Sequence, residues 1–388
     1  MGAQMKMGAL IRARPSYLAI ASSLLSLLGC FFAFTQQSSA TTFSSGAFFV
    51  PLLSLVLILL NFAGQFWPSV LTVLLGLMGA FLTVFRLAIQ DTSLGDSGYW
   101  LLFWGFLLSA VFAAGRVSLA DADPNEPKLI KRLRNLTPPA TVPFVLLLVW
   151  QALVLGYQVP RGIFPSVTDV YLQLRSSLPV LLTDSYTTFV KEVFFGFSIG
   201  LLAGFLAGVG IALSTFLQRG FLPFAAAFGA VPIVGLAPVL GRAFGVDWES
   251  KAAVVVITTF FPVVLNTVQG LTSVDTMKLE LLKAYAAKPS QIFFKLRLPN
   301  ALPYLFNALK LAAVLSVISV IVAEFLIPGP PVGLGQRISL SARRGAYDVV
   351  FAAIFVSSVF SIIIYGLLSW LERRMTGWHP SFRETEDY

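Results

Sequence analysis

Side chains able to do chemistry are scarce in this sequence. Among 388 residues there is one cysteine, Cys30, and one histidine, His379. One thiol builds neither an intrachain disulfide nor a thiolate metal site, and a lone histidine has no co-ligands with which to hold a metal. No G-x-x-x-x-G-K-[S/T] sequence occurs, so the chain carries no Walker-type phosphate loop. Its long apolar runs contain no paired carboxylates, nucleophile elbow or metal-spaced histidines. No catalytic residue, metal ligand or cofactor of its own is therefore expected. Two features remain. One is Glu324, inside VIVAEFLIPG; the other is ELLKAYAAKPSQIFFKLRLPNALP, residues 280–303, a basic amphipathic stretch between two apolar runs.

Glu324 lies near the outer end of its run. An ionisable group at membrane depth points to function, so Glu324 is a candidate pathway or outer-mouth residue; the other reading is a carboxylate satisfied by nearby backbone donors. Lys310 shares the run but stands about 21 Å away along a helix axis, too far to pair. It can snorkel toward the inner surface instead.

The elements that position these residues follow from composition. Hydrophobic residues make up 57% and charged residues 12% of the chain, with a mean hydropathy of +0.82. The runs are of spanning length, roughly 17 to 25 residues each, and continuous rather than alternating as in a β-barrel. The fold class is all-α: a polytopic helical membrane protein of about ten spans. These are drawn at 17–35, 48–64, 68–89, 99–115, 141–157, 190–216, 221–244, 251–270, 304–328 and 349–371. The basic start and first apolar run resemble a signal peptide, but no small-residue cleavage site follows, so an uncleaved first span is expected.

The net charge of +9 is spread over juxtamembrane clusters, which argues against nucleic-acid binding and for the positive-inside pattern. With the N-terminus inside, the inner face collects Lys6, Arg12, Arg14, Arg116, Lys128, Lys131, Arg132, Arg134, Arg219, Lys278, Lys283, Lys288, Lys295, Arg297, Arg373, Arg374 and Arg383. The outer face keeps mainly Arg161, Arg175, Arg242, Arg337, Arg343 and Arg344. Both termini and residues 280–303 are thereby placed in the cytoplasm. Four parts emerge: a four-span block at 1–115, a basic cytoplasmic linker at 116–139, a six-span block at 140–378 and a tail at 379–388. Gly196, Gly200, Gly204 and Gly208 form a helical ridge of small residues that lets another helix come close, within one subunit or between two.

The 280–303 stretch has a structure of its own. Asp275 is an N-cap candidate for a first short helix, and Pro289 ends that helix at Lys288. Ser290 is the cap of a second helix running to Arg297, and Pro299 and Pro303 mark the turn into the next span. Leu282, Tyr285, Ile292, Phe293 and Leu296 would present an apolar face. Such a face either rests on anionic lipid or inserts into the groove of a cytoplasmic partner.

Here the sequence resembles the permease subunits of binding-protein-dependent ABC importers. Their cytoplasmic motif is E-A-A, a glycine four residues after the second alanine, and a closing hydrophobic-x-Leu-Pro. Counting back from Leu298 and Pro299, its glutamate falls on Glu280, its alanines on Leu281 and Leu282, and its glycine on Ala286. The spacing matches, and the small residues do not. FPSVTDVYLQL, AVPIVGLAPVLGRAFG, FFPVVLNTVQGLTSVD, KLRLPNALPYLFNALKLAAVLSVISVIVAEF and GPPVGLGQ are similar to the nitrate/sulfonate/taurine/pyrimidine group, over about residues 141–378. The resemblance implies a six-span type I ABC importer permease core in a bacterial inner membrane, with four extra N-terminal spans. It also implies partners: a second permease copy, an extracytoplasmic substrate-binding protein, and an ABC ATPase that binds ATP and magnesium on a separate chain. Glu280, Leu281, Leu282, Lys283, Ala284, Tyr285, Ala286, Ala287, Ser290, Leu298 and Pro299 would form the ATPase-coupling loop. The expected substrate is a small organic solute, a pyrimidine precursor of thiamine or riboflavin, with nitrate, a sulfonate or taurine as the alternative. A stand-alone secondary carrier or a membrane scaffold are the readings from other classes.

Overall fold

The computed structural model describes residues 17–36, 49–63, 66–90, 97–120, 126–228 and 231–377. His379 and the rest of the tail, the basic residues up to Arg14, and Asp121 and Asp123 of the linker lie outside the described residues. The regular structure described is helical throughout, and it falls into two compact units, Met1–Asp169 and Val170–Tyr388.

The first unit holds α1 (Tyr17–Gln36), α2 (Phe49–Ala63), α3 (Phe66–Gln90), α4 (Ser97–Ser118) and α5 (Lys128–Gly156). Leu57, Phe103, Phe106 and Leu107 form its core with Ala152 of α5. α5 begins inside the stretch read as a linker, and this unit's core includes it. α1 and α4 touch through small residues: a Cβ on Gly29 would stand 2.6 Å from the backbone N of Leu102. Where these helices close, a polar cluster is buried. Asn61 donates to Ser23 Oγ at 2.7 Å, Ser23 and Ser109 share a hydrogen bond of 2.6 Å, and Arg116 donates to the Asn61 side chain. Buried polar groups in apolar surroundings need such partners.

The second unit starts within α6 (Val167–Ser185), which continues through a π-helical stretch, Tyr186–Phe194, into α7 (Phe195–Ala212). This makes one helical run of 46 residues. α8 (Thr215–Phe228), α9 (Ile233–Phe244) and α10 (Trp248–Thr272) follow. Then come α11 (Thr276–Ala284), α12 (Pro289–Ile292), a second π-helical stretch at Phe293–Arg297, α13 (Leu298–Leu326), α14 (Leu334–Arg343) and α15 (Tyr347–Thr376). The glycine ridge is spent inside the chain. Gly196, Gly200, Gly204 and Gly208 are buried against α10, where a Cβ on Gly196 would meet the Ala252 carbonyl at 2.6 Å and one on Gly208 would meet Thr267 at 2.6 Å.

Seven described helices are long and apolar enough to span a bilayer. Three shorter apolar ones, Tyr17–Cys30, Val50–Ala63 and Val234–Phe244, fall below that length, so ten spans are not established. The seventh expected span, 221–244, is broken into α8 and α9. Pro232 begins α9, and its 12 residues rise only about 18 Å against a hydrocarbon core of about 30 Å.

Candidate functional site

The loop between α10 and α13 is built from caps. Asp275 Oδ1 accepts the Met277 N–H at 2.9 Å, as expected of an N-cap. At the other end of α11, the Ala287 N–H donates to the Leu282 carbonyl at 3.0 Å and the Ala286 N–H to the Lys283 carbonyl at 2.9 Å. That pair of bonds is a Schellman turn, whose left-handed residue is usually glycine. Here it is Ala286, at φ 52°. The turn is thus kept by a residue with a side chain, at a cost of about 1–2 kcal/mol.

The second helix starts two residues earlier than a Ser290 cap would place it. Lys288 is its N-cap and Pro289 its first helical residue, a position where the missing N–H costs nothing. The Lys288 N–H donates to Gln291 Oε1 at 2.8 Å, and Ser290 is exposed on the helix. Asn300 then ties the start of α13 to the end of α10, donating to the Gly270 carbonyl and to Ser273 Oγ, both at 3.2 Å. Leu298 and Pro299 lie half-buried at that junction.

No side chain of α11 or α12 is buried. Met277, Leu281 and Tyr285, one turn apart along α11, are 76%, 56% and 79% exposed. The apolar face therefore differs from the one expected. Tyr285 belongs to it, but Leu282, Ile292 and Leu296 turn half inward, and Phe293 packs on the core of Ala212, Leu271 and Ala301. Glu280, Lys283, Ala284 and Ala286 are exposed beside the stripe, and Ala287 is half-buried.

At the far end of α13, Glu324 is fully buried. Its Oε1 accepts from Thr188 Oγ1 at 2.7 Å; its Oε2 accepts the Gly335 N–H and, at 3.3 Å, the Gln336 N–H. Gly335 and Gln336 are in the first turn of α14, so Glu324 caps that helix from another helix, meeting both the orphan donors and the positive end of the dipole. Gly333 and Gly335 leave the room for it: a Cβ on Gly335 would stand 2.6 Å from Oε2. Thr188 also accepts the Leu334 N–H at 2.9 Å. Arg337 forks onto Asp184, Nε to Oδ2 at 2.7 Å and Nη2 to Oδ1 at 3.2 Å. The hydrogen bond to Asp184 raises the Arg337 pKa above its ordinary value against the opposing effect of burial.

Beside Glu324 lies an ion pair absent from the sequence reading. Lys251 Nζ stands 3.6 Å from Glu192 Oε1 with both side chains fully buried, and among the described residues neither Lys251 Nζ nor a Glu192 carboxyl oxygen makes a hydrogen bond. Of the two readings of Glu324, the structure supplies backbone donors and adds charged neighbours. Lys310 pairs with Glu372 of α15 at 2.7 Å.

Residues 200–377 match the model of a family described as binding-protein-dependent transport system inner membrane component. The chain is 30% identical over 248 residues to the riboflavin transport system permease protein RibX of Chloroflexus aurantiacus, covering 63% of this chain and 90% of that one. It belongs to that family. This inner membrane component is also 32% identical over 185 residues to the formylaminopyrimidine transport permease protein ThiX of Halalkalibacterium halodurans, covering 47% and 73% of the two chains. The nitrate import permease protein NrtB of Leptolyngbya laminosa is 25% identical over 252 residues, covering 63% and 89%. The family match contains the whole α11–α12 loop and Glu324, whereas Asp184, Thr188 and Glu192 precede it. The chain is accordingly an ABC importer permease subunit in the membrane, with ATP hydrolysis left to a separate chain.

Proposed function

We propose that this permease subunit pairs with a second copy of itself to form the solute pathway, and that a separate ATPase, binding ATP and magnesium, drives it through residues 280–299. The observation that carries this is the exposed Met277–Leu281–Tyr285 stripe. α11 is capped from its own sequence at both ends yet buries no side chain, as suits a helix awaiting a groove. The distribution of Lys and Arg favours both termini and this loop on the cytoplasmic side. Solute would arrive from an extracytoplasmic binding protein. Reconstitution with candidate ATPase subunits tests the coupling: the wild type should show solute-stimulated ATP hydrolysis and Glu280→Arg should lose it. Unchanged assembly and transport in Glu280→Arg would refute the docking role, and ion-driven uptake by the chain alone would make it a secondary carrier.

The proposed substrate is an uncharged or weakly charged heterocycle, of the pyrimidine or riboflavin kind named in two relatives that are 32% and 30% identical. Nitrate, sulfonates and taurine are the competing class. Binding-protein-dependent uptake of formylaminopyrimidine, riboflavin, nitrate and taurine, measured side by side, separates the two. Uptake of nitrate or taurine alone would overturn the heterocycle assignment.

A further inference from the structure

The first unit contains a groove between α3 and α5 with a volume of about 700 Å³. Val70, Leu74 and Met78 line it from α3, and Leu136, Ala140 and Phe144 from α5. Its one hydroxyl at the mouth end, Thr137 Oγ1, is turned back to the Leu133 carbonyl at 2.6 Å, so the surface offered is apolar. The two helices start at the same end, where Val70, Ile130 and Leu133 pack on Phe66 and Val117.

Two properties say what fills it. The first is length. From Leu133 to Phe144 the lining rises about 16 Å, roughly half the 30 Å hydrocarbon core. That is the depth of one leaflet, and too short for a spanning helix of another subunit. The second is charge. Lys128 and Arg132 stand about two turns and one turn before Leu136 on α5, so two cations lie at the end of the groove where both helices start. Both are exposed and make no ion pair among the described residues, whereas Arg134 is held by Glu126 at 2.6 Å. On the α3 side, Trp67 is 46% exposed one turn before Val70, at the level where indoles sit in membrane interfaces. Basic residues at the mouth of an apolar cleft between helices are the pattern that binds anionic headgroups.

We propose that the α3–α5 groove is a binding site for an anionic phospholipid, with one acyl chain along the groove and its phosphate on Lys128 and Arg132. Only the choice of leaflet rests on the orientation proposed above. The test is native mass spectrometry of the full chain after exchange into phosphatidylglycerol or phosphatidylcholine of identical acyl chains. The expected result is one phosphatidylglycerol retained per chain and phosphatidylcholine lost. Lys128→Glu with Arg132→Glu should lower that occupancy by at least about tenfold, with helicity and melting unchanged because both side chains are exposed. Ala140→Trp, which fills the groove, should remove the lipid. Equal retention of both lipids, or undiminished occupancy in the Lys128→Glu, Arg132→Glu double variant or in Ala140→Trp, would each overturn the proposal. So would a disulfide between two copies formed readily through Ala140→Cys, because the groove would then hold protein.

Discussion

α11 and α14 are short amphipathic helices joined to opposite ends of α13, and they are finished in opposite ways. α14 buries Leu334, Gly335, Gln336, Ile338 and Ser341. Its first N–H groups are capped by Glu324 and Thr188, and Arg337 locks it to Asp184. α11 takes its caps from its own sequence, Asp275 before it and the Ala286 turn after it, and buries nothing. One end of the permease unit is completed within the chain. The other carries a cap at each end of α11 and leaves its apolar stripe exposed.

That contrast breaks most sharply at Glu324. Glu324→Ala removes the cap of α14 and changes the surroundings of the buried Lys251–Glu192 pair; a loss of about 3–5 kcal/mol is expected. Detergent-solubilised protein should show it as a large drop in melting temperature. Next comes Gly335→Val, which drives a branched side chain into Glu324 and should cost about 1–3 kcal/mol by the same assay. Leu281→Ala with Tyr285→Ala should leave melting unchanged to within about 0.5 kcal/mol. The same pair should weaken ATPase association by about tenfold or more, measured by binding of the purified ATPase. A matching fall in stability would show that α11 is held within the chain after all. The smallest effect is Ala286→Gly: relief of left-handed strain, less the entropy glycine loses, leaves a gain of about 0.5 kcal/mol, readable in a denaturant titration.

Much of this was legible beforehand, and the misses share a cause. Apolar windows located the long helices because burial in a bilayer demands continuous apolar length. The Asp275 cap was legible from its type and place, and the loop's spacing carried through even where Ala286 replaces a glycine. Glu192 and Lys251 were missed because each stood at the edge of an apolar window. The helices run past those windows, and the two residues meet only when α10 packs beside the π-helical stretch. Lys310 was read alone, whereas its partner Glu372 is 62 residues away in sequence. Asn61, Ser23 and Ser109 are unremarkable singly, and their cluster exists only in the packed unit. Hydropathy reports length along the chain; it is silent on which side chains face one another.

From Pro289 to Leu326 the helix is unbroken for 38 residues, a strut roughly 57 Å long at about 1.5 Å per residue. The uncovered stripe of α11 lies just beyond one end and the Glu324 cap near the other. Mechanically this is a lever with a load at each end. A tilt of about 5° about one end would carry the other through about 5 Å, the height of a helical turn, so a displacement applied at the loop would reach the α14 cap without any chain of side chains to relay it.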